Sequence, residues 1–378
     1  MKEISDLRAA VVGTGFIGVV HVETLRRLGV EVVGVCAETP EIAREKALSY
    51  PLPPVYESFE QLVNDPRVDV VHIATPNDLH YPQVKQALAA GKHVVCEKPL
   101  ALDSRQSVEL VELAECSGLV HATNFNMRFY PQVHEARQRI LAGQLGEIWN
   151  IHGSYLQDWL LYPTDWNWRL EPDSGGSLRA VGDIGSHWLD AAQFVLGRDI
   201  TAVMADLFTA IPVRKKPCNR AETFGAADGA TEDVAVLTED IAHLLLRFEG
   251  GPHGAVVISQ VSAGRRNSLT FEVDGSGSSL SWCSEQNEEL WFGHRDRPNE
   301  LLVRDPALMH GPLRGSLPGG HTEGFQDASK ELYRAVYGAV AAGKPSEGYP
   351  TFRDGHRVNV LADAVLRSSR EHRWVEVN

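Results

Sequence analysis

The sequence is poor in cysteine, short of basic charge and without an apolar run long enough to cross a membrane. Each shortage excludes something. Its five cysteines, Cys36, Cys96, Cys116, Cys218 and Cys283, are scattered, odd in number and never spaced Cys-x-x-Cys, which argues against both a disulfide framework and a thiolate metal site. A reducing cytoplasm is the expected location. Only 36 basic residues stand against 50 acidic ones, and the net charge of -14 speaks against nucleic acid and anionic membranes, both of which select basic surfaces. A small neutral substrate fits better. The apolar stretch 9–20 is interrupted by three glycines and is not followed by a small-residue cleavage site, so it does not read as a leader. No other stretch approaches the ~20 apolar residues of a membrane span, and there is no internal repeat.

What is present is an ordinary globular composition, 43% hydrophobic over 378 residues, which is enough for two cores. Up to about residue 128, strand-like and helix-like runs alternate. Strands are expected at 9–12, 30–36, 68–74, 93–96 and 120–124, with helices between them ending at Gly29, Gly91 and Gly118. Asp103 and Gln106 have the spacing of a capping box. This alternation predicts an α/β fold with a doubly wound parallel sheet. From 129 to 378 the rhythm changes. A helix at 132–142 is followed by strands at 147–156, 200–207, 235–248, 254–261, 268–274 and 279–282, joined by short glycine turns, and 212–233 reads as a long surface loop. A mostly antiparallel open sheet is expected there, with one face covered by helices and the other by a second copy of the chain.

Gly13-Thr14-Gly15-Phe16-Ile17-Gly18 follows the first strand and opens the first helix. The first glycine permits the tight turn, the second lets a pyrophosphate approach the backbone and the third allows close helix packing, while the helix N-terminus offers N–H groups to the phosphates. Glu38, near the end of the second strand, is placed to take the ribose hydroxyls, which favours NAD; Arg44, a helical turn further on, keeps NADP open. In such a fold the carboxyl ends of the strands carry the chemistry, so Lys98 in Cys96-Glu97-Lys98-Pro99 is a catalytic candidate.

A second constellation lies at Gly182-Asp183-Ile184-Gly185-Ser186-His187-Trp188-Leu189-Asp190. On a helix Asp183, His187 and Asp190 share one face, and an imidazole beside a carboxylate can act as a general base. A metal is not expected, because no further ligands show metal-site spacing. Trp159, Trp166 and Trp168 fall within ten residues among acids and amides, as a surface that stacks on sugar rings requires.

These motifs, with Ala74-Thr75-Pro76-Asn77-Asp78-Leu79-His80, Asn124-Phe125-Asn126-Met127-Arg128, Trp168-Arg169 and Gly175-Gly176, resemble the Gfo/Idh/MocA family of glucose-fructose oxidoreductases and inositol dehydrogenases over essentially the whole chain. The resemblance implies a Rossmann domain at 1–128, an α/β substrate and oligomerisation domain at 129–378, and a homodimer or homotetramer. It implies Lys98, Asp183 and His187 as the catalytic set. Around the cofactor it places Gly13, Gly15, Phe16, Ile17, Gly18, Glu38, Thr75, Asn77, His80, Glu97, Lys98, Asn126, Trp168 and Arg169. Arg128, Asp158, Trp159 and His321 are substrate candidates beside the catalytic three, although His321 also suits a loop-capping role. The implied reaction is hydride transfer between a secondary hydroxyl of a sugar or polyol and a nicotinamide. Two alternatives within the same fold are an NAD-dependent glycoside hydrolase and a non-catalytic sensor.

Overall fold

The computed structural model describes residues 2–218, 229–346 and 348–377. The chain divides into two compact units, residues 1–126 with 326–359 and residues 127–325 with 360–378. In the first, strands β1 (Arg8–Val12), β2 (Glu31–Cys36), β3 (Val70–Ile73), β4 (His93–Cys96) and β5 (His121–Thr123) form an all-parallel sheet of order β2-β1-β3-β4-β5. Every residue of β3 is buried, as a strand covered on both faces requires. Helices α1 (Phe16–Arg27), α2 (Pro40–Lys46), α3 (Phe59–Asn64), α4 (Asn77–Ala89) and α5 (Ser104–Ser117) make the connections. The direction of winding reverses between β1 and β3, which creates the crevice where ligands of open α/β sheets bind. At α5 the Asp103 carboxylate accepts the Gln106 N–H at 2.9 Å, while the Gln106 side chain turns back to the Leu102 N–H at 3.3 Å, one residue earlier than a full capping box.

The first unit also takes in most of α9 (Phe325–Ala342) and the start of α10 (Phe352–Glu371), both far beyond the division expected at 128/129. The cause is side-chain packing that sequence distance hides. Tyr337 on α9 bonds His72 of β3 at 2.9 Å, and the Tyr333 ring packs on His21 and His72.

The second unit is built on a nine-stranded sheet from β6 (Ile148–Leu156), β7 (Ile200–Phe208), β10 (Ile241–Phe248), β11 (His253–Ser259), β12 (Ser268–Gly275), β13 (Ser279–Cys283), β14 (Glu289–Gly293), β15 (Glu300–Val303) and β16 (Val375–Glu376). Its order is β15-β14-β13-β12-β6-β11-β10-β7-β16, antiparallel except for the β6/β11 pair. Burial alternates along β10, with Ala242, Leu244, Leu246 and Phe248 inside and His243, Leu245 and Arg247 outside. Helices α6 (Pro131–Leu141), α7 (Pro172–Gly175) and α8 (Ser186–Leu196) belong to this unit.

Two expectations are corrected here. The expected loop 212–233 instead contains a two-stranded ribbon, β8 (Val213–Pro217) paired with β9 (Thr231–Ala235); residues 219–228 lie outside the described residues. Arg214 explains it, because its fully buried guanidinium draws β8 onto the unit. The expected strand 235–248 is broken before Ile241, where Glu239 and Asp240 turn inward to bind buried donors.

Candidate active site

The glycine turn after β1 behaves as its spacing predicts. Gly13 has φ +94°, and a Cβ there would lie 2.2 Å from the Ala74 carbonyl oxygen; one on Gly18 would lie 1.9 Å from the Gly13 oxygen. A Cβ on Gly15 meets nothing within 4 Å. The turn is thus closed at 13 by the Ala74 backbone after β3, closed at 18 by its own backbone and open at 15, the cradle a pyrophosphate needs at the start of α1, whose cap residue Gly15 offers no side chain to the first N–H groups. Phe16 and Glu38 are exposed, Ile17 half-buried, and Glu38 lies just beyond β2.

Glu97, Thr75, Asn77, His80 and Asn126 gather at the strand ends, but mostly as scaffold. Glu97 is buried and accepts His21 Nε2 at 3.0 Å, the Asn124 amide, and the Lys98 backbone N–H at 3.3 Å. Burial alone would raise its carboxyl; the bonds from His21 and Asn124 and the Lys98 charge outweigh it and hold the pKa at about 2. His21 Nδ1 in turn lies 2.8 Å from His72 Nδ1. His80 is fully buried between the carbonyl oxygens of Pro99 (2.7 Å) and Thr75 (3.0 Å), so it ties the turn after β3 to the turn after β4, and burial lowers its pKa. The Thr75 hydroxyl donates to Gln83 at 2.8 Å, Asn77 opens α4, and Asn126 donates to Ser329 at 3.0 Å. Lys98 follows directly on the anchored Glu97, and the Lys98–Pro99 peptide is cis.

In the second unit a π-helical turn, Val181–Gly185, precedes α8 and carries Asp183. One Asp183 oxygen accepts Arg169 Nε at 3.0 Å and the other Gln260 Nε2 at 2.8 Å. His187, 7% exposed, sits in the first turn of α8 with the Tyr155 ring 6.3 Å away. The Tyr155 hydroxyl donates to Asn267 at 2.7 Å, and burial pushes it well above the usual phenol range. Arg169 stacks on Trp168 at 4.3 Å and lies 5.9 Å from the Trp159 ring, so the cation holding Asp183 is flanked by two half-buried indoles. Trp166 instead belongs to a small core with Leu160, Leu170 and Val236.

The shared face expected for Asp183, His187 and Asp190 does not carry all three to one function. Asp190 is buried in a fork with Arg128, whose Nε donates at 2.6 Å, and Arg128 also stacks on Phe194 at 5.1 Å. Arg128, expected at the substrate, is a clamp between the segment before α6 and α8. Asp158 ties its loop to the Gly264 N–H at 2.9 Å and to Arg266 at 3.0 Å. His321 is exposed in a loop whose His321 carbonyl accepts from Arg304 at 2.6 Å. Sequence reasoning missed Gln260; its signal was a polar residue closing the apolar run of β11. It also missed Asn267, Arg179, Glu239 and Asp240, for which no local signal existed.

On the open face of the sheet His152, Glu272 and Asp274 bring one ligand-type atom each within 4.8 Å of one another, with His152 exposed and both carboxylates half-buried; acidic groups commonly gather on surfaces without any ion.

Two family models match. Residues 7–125 match the oxidoreductase family GFO_IDH_MocA, described as an NAD-binding Rossmann fold, and residues 133–281 match the GFO/IDH/MocA C-terminal domain. The chain is 30% identical to levoglucosan dehydrogenase of Pseudarthrobacter phenanthrenivorans, covering 99% of each. A structure of levoglucosan dehydrogenase in complex with NADH and levoglucosan superposes with a TM-score of 0.87 at 29% identity, over 98% of this chain and 99% of that one. An inositol dehydrogenase homolog from Azotobacter vinelandii in complex with NAD+ gives 0.84 at 27% identity over the full length of both.

Proposed function

The chain belongs to the GFO/IDH/MocA family of NAD-dependent oxidoreductases, and on that premise we propose that it oxidises one secondary hydroxyl of a sugar, polyol or sugar derivative. The observation that carries this reading is the Arg169–Asp183–Gln260 grip, one helical turn before His187 and flanked by Trp159 and Trp168. NAD fits the glycine turn, because Gly15 leaves the space that a side chain would fill. Glu38 would take the ribose and the α1 N-terminus the phosphates, and when bound the nicotinamide accepts the hydride.

His187 takes the hydroxyl proton on an imidazole nitrogen, the group most often used for that step. Lys98 stabilises the developing alkoxide with its ammonium group, and Glu97 fixes the turn that bears it. Asp183, held in place by Arg169 and Gln260, orients the sugar or the imidazole. Trp159 and Trp168 supply apolar faces for the C–H side of a ring.

Levoglucosan leads the test panel because it is what the relative is named for; glucosides and inositols follow. NADH formation at 340 nm is expected with at least one of them, and net NADH separates this reading from a hydrolase that recycles its cofactor and from a sensor. Lys98→Ala and His187→Ala should each bind NADH normally and lose about 100- to 10,000-fold in kcat. Normal turnover in both would overturn the roles.

A second copy of the chain is proposed to cover the open face of the nine-stranded sheet, where Met204, Leu245, Val257 and Leu301 stand exposed. A reducing cytoplasm is the proposed location, consistent with five free cysteines.

A further inference from the structure

Asp240 is fully buried just before β10 and binds two arginines whose side chains are themselves fully buried. One of its oxygens accepts from both Arg179 and Arg214, the latter at 2.7 Å, and the other accepts the Ile211 N–H at 2.8 Å. Although burial works against ionisation, the two guanidinium groups hold its carboxyl below the usual aspartate range. With Glu239 the cluster has two acids for two bases, the balance a buried set of charges needs.

The two arginines lead to different places. Arg214 donates to the carbonyl oxygens of Leu160 (2.8 Å) and Tyr162 (2.9 Å), fixing the loop that follows Trp159. Arg179 opens the segment that becomes the π-turn: its N–H and that of Val181 are held by Glu239 at 3.0 and 2.8 Å, and its carbonyl accepts the Asp183 N–H at 2.8 Å. The Asp240 carbonyl also accepts the N–H of Gln260, the residue whose side chain holds Asp183.

We propose that Asp240 is a positioning residue that holds the aromatic loop 159–165, through Arg214, and the Asp183/His187 segment, through Arg179, in one fixed register. The inference rests on the sugar-oxidising reading for its functional meaning, but its physical content is independent of it. Each arginine is one arm of a single anchor. Loss of one arm should loosen one segment, and loss of the anchor should loosen both.

Hydrogen exchange of the NADH-bound full-length protein reads this directly. Arg214→Gln is expected to raise exchange about tenfold in peptides covering 159–165 and leave 179–187 unchanged, since one buried hydrogen bond is worth about a factor of ten. Arg179→Gln should do the reverse, and Asp240→Asn should affect both. In turnover of the sugar, Arg214→Gln should raise KM about tenfold with kcat nearly unchanged, and Arg179→Gln should lower kcat with KM nearly unchanged. Arg214→Lys, which keeps the charge but loses the fork, should fall between wild type and Arg214→Gln. If Asp240→Asn does not fold, the two arms decide: exchange that spreads to both segments in either variant, or changes in neither, overturns the proposal. A wild-type protein inactive on every sugar would sink the functional reading alone, and the exchange pattern would still decide this one.

Discussion

Gly13, Gly15 and Gly18 illustrate how much one absent Cβ can decide. At 13 and 18 the missing atom would strike backbone, whereas at 15 it would enter open space. Gly18→Ala should therefore cost about 1 to 3 kcal/mol of folding stability by overpacking, measured by chemical denaturation. Gly15→Ala should unfold like wild type but bind NADH about tenfold or more weakly in a fluorescence titration, because only the bound pyrophosphate needs that space. Tight NADH binding by Gly15→Ala would show that the phosphates sit elsewhere. These three residues were legible in the sequence because their spacing is a local pattern, although the carbonyl that closes on Gly13 belongs to Ala74, far along the chain. Arg128 was not: Asp190, 62 residues away, engages it in a buried fork, and nothing in either neighbourhood announces the pairing. Glu97 was singled out for its place at a strand end, and its anchoring by His21 was likewise invisible, 76 residues separating the two.

Elements were read well where periodicity is strong. All five parallel strands were expected, and their boundaries shift by at most two residues. Two of the errors fall where a polar side chain has a buried partner: Arg214 turns an expected loop into the β8/β9 ribbon, and Glu239 with Asp240 ends a strand that apolar content would have continued. Helix α9 joins the first compact unit from far along the chain because its attachment runs through Tyr337, His72 and His21. With His21 Nε2 donating to Glu97 and His21 Nδ1 accepting, His72 donates through Nδ1 and Tyr337 donates to His72 Nε2, so a single orientation satisfies the whole chain. Tyr337→Phe removes the terminal donor and should lower stability by about 1 to 2 kcal/mol in urea titration, with the spectrum of the folded state unchanged. No change would mean that the ring alone docks the helix.

At the scale of the whole molecule, acid should be its weakness. Burial lowers the pKa of His72 and His80, and holds His121 at about 4 and His134 at about 3. Below pH 6.5 the unfolded chain takes up protons that these folded sites refuse, so each can remove up to about 1.4 kcal/mol of stability per pH unit until its folded pKa is reached. Glu97, held at about 2, adds stability above the ordinary glutamate range that fades as pH falls toward 2. Glu239, Asp78 and Asp165, pushed up by burial, oppose them. Stability from denaturant titrations should thus decline steeply between pH 6.5 and 4.5; a flat profile would mean that the histidines are not buried in neutral form. The open sheet face makes a separate prediction. Leu245 lies opposite Met204 on that face, and Leu245→Asp should yield a smaller species by light scattering than wild type. An unchanged mass would place any self-association elsewhere.

Fold class, nucleotide turn and the Lys98, Asp183 and His187 candidates were determined by the sequence alone, because hydrophobic period, glycine spacing and strand-end position are properties of neighbouring residues. Only the tertiary structure decided what each charge is bound to. Arg169 and Gln260 hold Asp183, Arg128 is bound by Asp190, and Asp240 joins Arg179 to Arg214, in pairings that span 14 to 77 residues. A buried charge must find a partner, and the partner is whichever opposite charge the fold brings near. That choice is made by packing, and no local pattern records it.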